Sequence, residues 1–237
     1  MNKPERSFNC GNFGRRTRFA PDRGAGATLE RLMAIVGLAA MLLAAVGLNA
    51  QGVALAAGDP LTTVKTSVDQ VLHVLTDRSM TRAQRQRQVI DLVAGRFDFA
   101  DMARSSLGYN WKKLTPEQQQ QFVPIFTSFM EDAYLDKLSG YSGQKVEFVG
   151  QSMQSGGYAE VRTTVAPSES GRAPIRINYE MRRGGGDWKV YDVTIDDISI
   201  TANYRNQFNR VIDERGFTAL VSAMRRKQQE LRNSIGA

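Results

Sequence analysis

The chain has 237 residues, a formal net charge of +7 and a single cysteine. The excess positive charge lies mainly at the N-terminus, because residues 1–56 carry seven basic and three acidic side chains. The remainder has 24 basic and 21 acidic residues, a net charge of +3. Composition therefore gives no ground for a nucleic-acid partner, and we predict none; only a mild preference for anionic surfaces remains.

The N-terminal segment has the three parts of a secretory signal peptide in the expected order. A basic region reaches Arg31, an uncharged apolar stretch of 17 residues covers 32–48, and an Ala-Leu-Ala sequence follows at 54–56. We predict that residues 1–56 are a signal peptide, cleaved after Ala56 or Ala57.

An uncleaved membrane anchor is the alternative interpretation of this segment. Its 17 apolar residues are at the lower edge of the roughly 17–25 that span a bilayer, and Gly37 and Gly47 weaken a membrane helix. Cleavage would also remove Cys10, which leaves no thiol nucleophile, disulfide or thiolate metal site. The remaining residues, 57–237, are enough for one domain with its own core, and we predict a single domain there.

The first part of this domain has helical patterns. Asp59 and Pro60 are typical of a helix start, and Thr81 is a capping residue for a second helix. A third helix begins with the capping-box sequence Thr-Pro-Glu-Gln at 115–118 and should end near 139–140. Because Pro124 interrupts its apolar pattern, we expect a kink or an early break there.

From residue 144 the apolar period changes from helical to two. Alternating segments at 146–148, 161–165, 175–181 and 188–193 are separated by glycine-rich turns, and residues 195–200 extend the last of them. Helical spacing returns after Thr201, with a break at Gly216. The order predicts an α+β fold, in which an antiparallel meander has N-terminal and C-terminal helices on one face.

Catalytic patterns are scarce. His73 is the single histidine, and no nucleophile elbow, zinc-protease motif, phosphate loop or dinucleotide fingerprint is present. Asp192, Asp196 and Asp197 form an acidic cluster that would suit a cation, but we favour turn and cap residues. We therefore predict no enzymatic activity, no metal and no cofactor.

An ordered series of motifs resembles the MlaC family, also called the toluene-tolerance auxiliary family. The matching segments are 97–99, 102–103, 107–108, Trp111, 114–118, Phe122, 177–179, 188–193, 198–200, 203–208 and Gly216. The likeness spans essentially the whole chain after the signal peptide. Asp197 departs from the pattern, since the family usually has glycine at that position.

The resemblance implies a periplasmic carrier that encloses phospholipid chains in an apolar cavity and shuttles the lipid between two membrane complexes. The partners implied are an outer-membrane lipoprotein–porin complex and an inner-membrane ABC transporter with an MCE-domain ring. Such transport would maintain outer-membrane lipid asymmetry.

On this basis we expect the lipid tails to lie between the inner face of the sheet and the helices. The expected tail-binding residues are Leu107, Tyr134, Val161, Val165, Ile177, Tyr179, Val193 and Phe208. Arg104 and Arg205 are the expected headgroup residues at the rim. Alternatives are a carrier of another lipid, such as a hopanoid, and a non-carrier adaptor of an ABC transporter with a filled core.

Overall fold

The computed structural model describes residues 58–138, 141, 143–167 and 173–235. The predicted signal peptide lies outside these residues. Six α-helices occur within them: α1 (Pro60–Thr76), α2 (Arg82–Ala94), α3 (Phe99–Leu107), α4 (Pro116–Leu138), α5 (Ile200–Arg215) and α6 (Phe217–Ile235). A 3-10 helix, Gly108–Lys113, connects α3 to the segment before α4.

Helix starts follow the predicted capping chemistry. The Asp59 carboxylate accepts the Thr62 amide at 3.1 Å and so caps α1. Thr81 and Gln84 form a reciprocal capping box at α2, and Thr115 and Gln118 form the same box at α4. Each pair satisfies two backbone amides that a helix start would leave without a partner.

The sheet is the predicted antiparallel meander, with strand order β1-β2-β3-β4-β5. Its strands are β1 (Val146–Gln154), β2 (Tyr158–Val165), β3 (Ile175–Gly184), β4 (Asp187–Ile195) and β5 (Ile198–Ser199). Buried residues alternate along β2, β3 and β4, so one face of the sheet packs against the helices. The α+β prediction with helices on one face is confirmed.

The corner between α2 and α3 is joined to the edge of β4. The Asp98 amide donates to the Val190 carbonyl at 2.8 Å, and the Val190 amide donates to the Arg96 carbonyl at 2.9 Å. Phe97 thereby forms a parallel bridge with Val190. This arrangement fixes the start of α3 against the sheet.

Two local expectations were wrong in whole or in part. The early break considered at Pro124 does not occur, whereas the alternative of a kink there stays a prediction. Helix α4 runs unbroken through Pro124 to Leu138, because one lost backbone bond is outweighed by the burial of Phe122 and Phe126 on either side of the proline. Residues 195–200 do not extend β4 as one strand. Asp196 and Asp197 adopt positive φ values of 42° and 68°, so the chain turns back into β5.

Among the described residues, no helix is both long and apolar enough to cross a membrane.

Candidate functional site

The inner face of the sheet is an apolar surface built from alternate strand positions. Val161, Tyr179 and Val193 lie opposite one another in register and form a row across β2, β3 and β4. Val165 and Ile177 lie on the same face, and all five side chains are at most 2% exposed. The sequence therefore predicted correctly which strand residues point towards the helices.

The helices cover this surface with aromatic and aliphatic side chains. Leu107 at the end of α3 is fully buried, and Phe208 on α5 is 3% exposed. Phe208 contacts the rings of Phe122, Phe126 and Phe129 edge-on, with centroids 6.2–6.5 Å apart. The eight expected tail-binding residues all belong to one continuous hydrophobic core.

A small pocket opens at one side of this core, and part of its space is continuous with solvent. Its lining is Val93, Phe97, Phe99, Met102, Met130, Tyr134 and Ile200. The lining is almost wholly apolar, and the space inside is narrow, with room for little more than a water molecule. Of the expected tail-binding residues, Tyr134 lines this pocket and the other seven lie elsewhere in the core.

The other six lining residues were not among the tail-binding residues expected from the sequence. They come from α2, the α2–α3 corner, α3, α4 and the start of α5, which are distant along the chain. Phe97, Phe99, Met102 and Ile200 do fall in segments that match the family pattern, and that was the available signal. The sequence could not show that helix packing brings them to Val93 and Met130.

Among the residues that line the pocket, Tyr134 alone has a side-chain hydroxyl. Burial raises the pKa of its hydroxyl well above the usual range, and a hydrogen bond with Tyr204 adds to the effect. Burial raises the pKa of Tyr204 to about 12. Both tyrosines are therefore neutral at physiological pH, and the pocket wall carries no charge there.

The two expected rim arginines have different environments. Arg104 has a side chain 54% exposed and lies 3.4 Å from the Asp101 carboxylate. Arg205 is partly buried, and its Nε donates to the Ser105 carbonyl at 2.6 Å. Arg205 thus links α5 to the end of α3, whereas Arg104 stands at the surface.

The acidic cluster acts as turn and cap residues. The Asp192 carboxylate accepts the Thr201 amide at 3.1 Å and the hydroxyls of Ser199 and Thr201, at the start of α5. Asp197 pairs with Arg176 at 2.6 Å. No group of acidic or histidine side chains suited to a metal occurs in the part of the chain that the structure describes. His73 is an exposed residue on α1.

These features define an α+β protein with an apolar interior between a meander sheet and a helical layer, and with a narrow apolar pocket leading into it. Comparison with known proteins gives the family. The model of the MlaC protein family matches residues 65–226, and the chain belongs to that family.

Similar proteins include the binding protein MlaC of the Haemophilus influenzae intermembrane phospholipid transport system, 24% identical over 127 residues. A toluene tolerance protein of Pseudomonas putida is 29% identical over 105 residues. The matched regions cover 52% and 44% of this chain, and only 59% and 48% of those relatives.

A solved structure is similar to this chain over almost the whole of its own length. The phospholipid-binding protein from Ralstonia solanacearum, solved in complex with a phospholipid, is 30% identical and superposes with a TM-score of 0.65. The match covers 74% of this chain and 99% of that one.

Proposed function

We propose that this protein is a periplasmic phospholipid carrier. The observation that carries the proposal is the match to the Ralstonia solanacearum protein, whose structure contains a bound phospholipid. The carrier would take lipid between an outer-membrane lipoprotein–porin complex and an inner-membrane ABC transporter with an MCE-domain ring. Its activity would help to maintain outer-membrane lipid asymmetry.

The energetic requirement of a carrier is to keep acyl chains out of water. Each methylene exposed to water costs about 0.8 kcal/mol, so two long chains represent on the order of 20 kcal/mol. An apolar interior offsets this cost by enclosing the chains, and no catalytic group is needed. The inner face of the sheet around Val161, Tyr179 and Val193 is apolar and offers no converging acid–base pair, which favours a binding protein over an enzyme.

Tail binding would require the helical layer to move away from the sheet. We propose that the tails then lie along Val161, Val165, Ile177, Tyr179 and Val193, under Leu107, Tyr134 and Phe208. The exposed position of Arg104 suits a loose headgroup contact, because an exposed charge pair contributes roughly 0–1 kcal/mol and permits release. Arg205 would have to leave the Ser105 carbonyl before it contacted a headgroup.

Transport between two membranes also requires that the signal peptide be removed. Cleavage after Ala56 or Ala57 would leave residues 57–237 or 58–237 as a single domain, free to diffuse in the periplasm. The net charge of +3 on the remaining chain favours encounter with anionic headgroups.

Lipid extraction from the purified, processed protein tests the proposal. Organic extraction followed by mass spectrometry should recover phospholipid in a stoichiometric amount. Recovery of a polycyclic triterpenoid would replace phospholipid by a hopanoid as the cargo. Reproducible absence of lipid, together with no uptake from vesicles, would contradict the carrier function and favour the adaptor.

A further inference from the structure

Two hairpin turns lie side by side at one end of the sheet. They connect β1 to β2 and β3 to β4, and β2 and β3 are neighbouring strands. The residues of both tips, 153–158 and 183–187, are all exposed. The tips are also joined, because the Arg183 amide donates to the Gly157 carbonyl at 2.8 Å. We call the surface formed by these two segments the hairpin end.

The hairpin end is apolar for an exposed surface. Residues 148–159 contain no Asp, Glu, Lys or Arg, whereas 23% of the whole chain is charged. Met153 is 59% exposed and Tyr158 is 39% exposed. Met153 lies opposite the buried Ala159, on the helix side of the sheet, and Tyr158 lies on the other side because neighbouring strand residues alternate. Apolar side chains on both faces of a tip suit a partner that approaches end-on.

Cations border this apolar tip. Arg183 is an exposed member of the hairpin end, and Asp187 is its single acidic residue. Behind the tip, the Lys189 ammonium donates to the Gly95 carbonyl, and the next residue along the chain from that glycine is the partly exposed Arg96. Cations therefore outnumber carboxylates among these side chains, which favours an anionic partner.

The hairpin end lies beside the corner between α2 and α3. Phe97 in this corner forms a bridge with Val190, three residues after Asp187. Phe97 also lines the apolar pocket. A surface that contacts the hairpin end therefore comes close to one side of the pocket.

We propose that the hairpin end is a docking surface for an anionic phospholipid bilayer. Met153 and Tyr158 enter the interfacial layer, where apolar and amphipathic aromatic side chains are favourable, and Arg183 meets headgroup phosphates. Because few side chains take part, the contact is brief and the protein does not stay attached. The choice of a lipid surface rests on the proposed function, to which it adds the face of the carrier that touches a membrane.

Vesicle binding tests the apolar part of this surface. The processed protein is sedimented at low ionic strength with vesicles of phosphatidylglycerol and phosphatidylethanolamine. Met153→Ser removes an exposed apolar side chain from the hairpin end. Val149→Ser is the matched control, because Val149 is 61% exposed on the same strand but lies outside the hairpin end. We expect Met153→Ser to weaken binding about three- to tenfold and Val149→Ser to change it by less than about twofold.

The same assay tests the charged part. Arg183→Gln should weaken binding about fivefold, and Asp187→Asn should strengthen it by a similar factor, because each changes the charge next to an anionic surface by one unit. Added salt should reduce both effects. Arg225→Gln on α6 changes the net charge equally at an exposed site away from the hairpin end, and it should change binding by less than about twofold. Equal effects of Arg183→Gln and Arg225→Gln would overturn the docking surface.

A fluorescent probe locates the contact without changing an apolar residue. Cys10 is the single cysteine and lies in the predicted signal peptide, so the processed protein has no competing thiol. Ser155→Cys in the hairpin end and Ser222→Cys on α6, both at exposed positions, are labelled in turn with an environment-sensitive dye. Anionic vesicles should raise the emission of the first and leave the second unchanged. A larger rise at position 222 would overturn the proposal.

The docking surface and the carrier function fail in different ways. A wild-type protein that binds no vesicles but contains extractable phospholipid would overturn the docking surface and leave the carrier function intact. A protein that contains and takes up no lipid, although its hairpin end binds vesicles, would contradict the carrier function and support the docking surface.

Discussion

Arg205 packs directly over Gly108, so closely that a Cβ atom on the glycine would lie 2.9 Å from the arginine Cδ. Gly108 ends α3 with φ of 54°, a left-handed conformation in which side chains are strained. The Arg205 Nε donates to Ser105 one turn earlier. Arg205 thus connects the end of α3 to α5, and its close packing requires glycine at position 108.

We predict that Gly108→Ala lowers the free energy of unfolding by at least about 2 kcal/mol, because the left-handed strain adds to the collision with Arg205. Gly216→Ala is the control. Gly216 also has positive φ, at 81° with ψ of 169°, but open space surrounds it, so this variant should lose only the backbone strain, roughly 1–3 kcal/mol. Urea denaturation measures both losses, and a Gly108→Ala variant as stable as the wild type would contradict both the strain and the role of Arg205.

A double-mutant cycle separates the collision from the strain. Arg205→Ala removes both the hydrogen bond to Ser105 and the atoms that collide. The double variant Gly108→Ala/Arg205→Ala should therefore lose less stability than the sum of the single variants. Strict additivity would show that the two residues do not interact.

The backbone conformation of the turn between β4 and β5 determines how substitutions of Asp197 should change stability. Its φ of 68° is favourable for glycine, and the family usually has glycine there. Asp197→Gly and Asp197→Ala both lose the exposed pair with Arg176, so their comparison isolates the backbone conformation. We expect the glycine variant to be more stable than the alanine variant by about 1 kcal/mol in urea denaturation. The reverse order would contradict the left-handed turn.

Three acidic residues lie in one row on the outer face of the sheet, because Glu180 is directly opposite Glu160 on one side and Asp192 on the other. Burial raises the pKa of Glu180, and the charges of Glu160 and Asp192 raise it further. Since like charges in opposite strand positions are destabilising, Glu180→Gln should stabilise the fold at neutral pH by about 0.5–1 kcal/mol.

The sign of the pH dependence follows from the raised pKa of Glu180. The folded state binds this proton more tightly than the unfolded state, so ionised Glu180 destabilises the fold above its folded pKa. The advantage of Glu180→Gln should shrink as the pH falls and disappear below the ordinary glutamate pKa. Glu214→Gln, at an exposed site on α5, is the control and should change stability by less than about 0.5 kcal/mol. An advantage independent of pH would contradict the electrostatic cause.

Asp98 affects stability in the opposite direction to Glu180, because its ionised form stabilises the fold. Burial raises its pKa, but the hydrogen bond from Arg182, the Asp101 amide and the nearby arginine charges outweigh burial, and the pKa is lowered overall. Asparagine is as good a helix cap as aspartate, so Asp98→Asn chiefly removes the charge. We expect a loss of about 1 kcal/mol at neutral pH.

The stability from ionised Asp98 is complete above its unfolded pKa and is lost as the pH falls through the lower folded pKa. The difference between the wild type and Asp98→Asn should therefore close in acid, as measured by thermal unfolding across a pH series. A constant difference at all pH values would place the effect in packing at the helix cap.

Much of the fold was predictable because local chemistry determined it. The caps at Asp59, Thr81 and Thr115 depend on residues three positions apart, and the faces of the strands follow from a period of two. The sequence therefore indicated correctly that Val161 and Tyr179 point inwards.

Other features depend on contacts that no local pattern encodes. The row of Val161, Tyr179 and Val193 requires the strand register, which turns and bulges adjust. The pocket requires Phe99 and Met130 to line the same space, and helix packing alone brings them there. A turn role for Asp197 was the favoured interpretation of the sequence, but the positive φ values that turn the chain back into β5 were not predicted, because non-glycine residues adopt that conformation only occasionally.

Transfer of phospholipid between membranes tests the central claim most directly. Donor vesicles with a fluorescent, self-quenched phospholipid are mixed with unlabelled acceptor vesicles and increasing amounts of the processed protein. A carrier predicts that the initial rate of dequenching rises in proportion to the protein concentration while the protein remains unattached to either vesicle. A rate no higher than spontaneous exchange at every protein concentration would contradict the account.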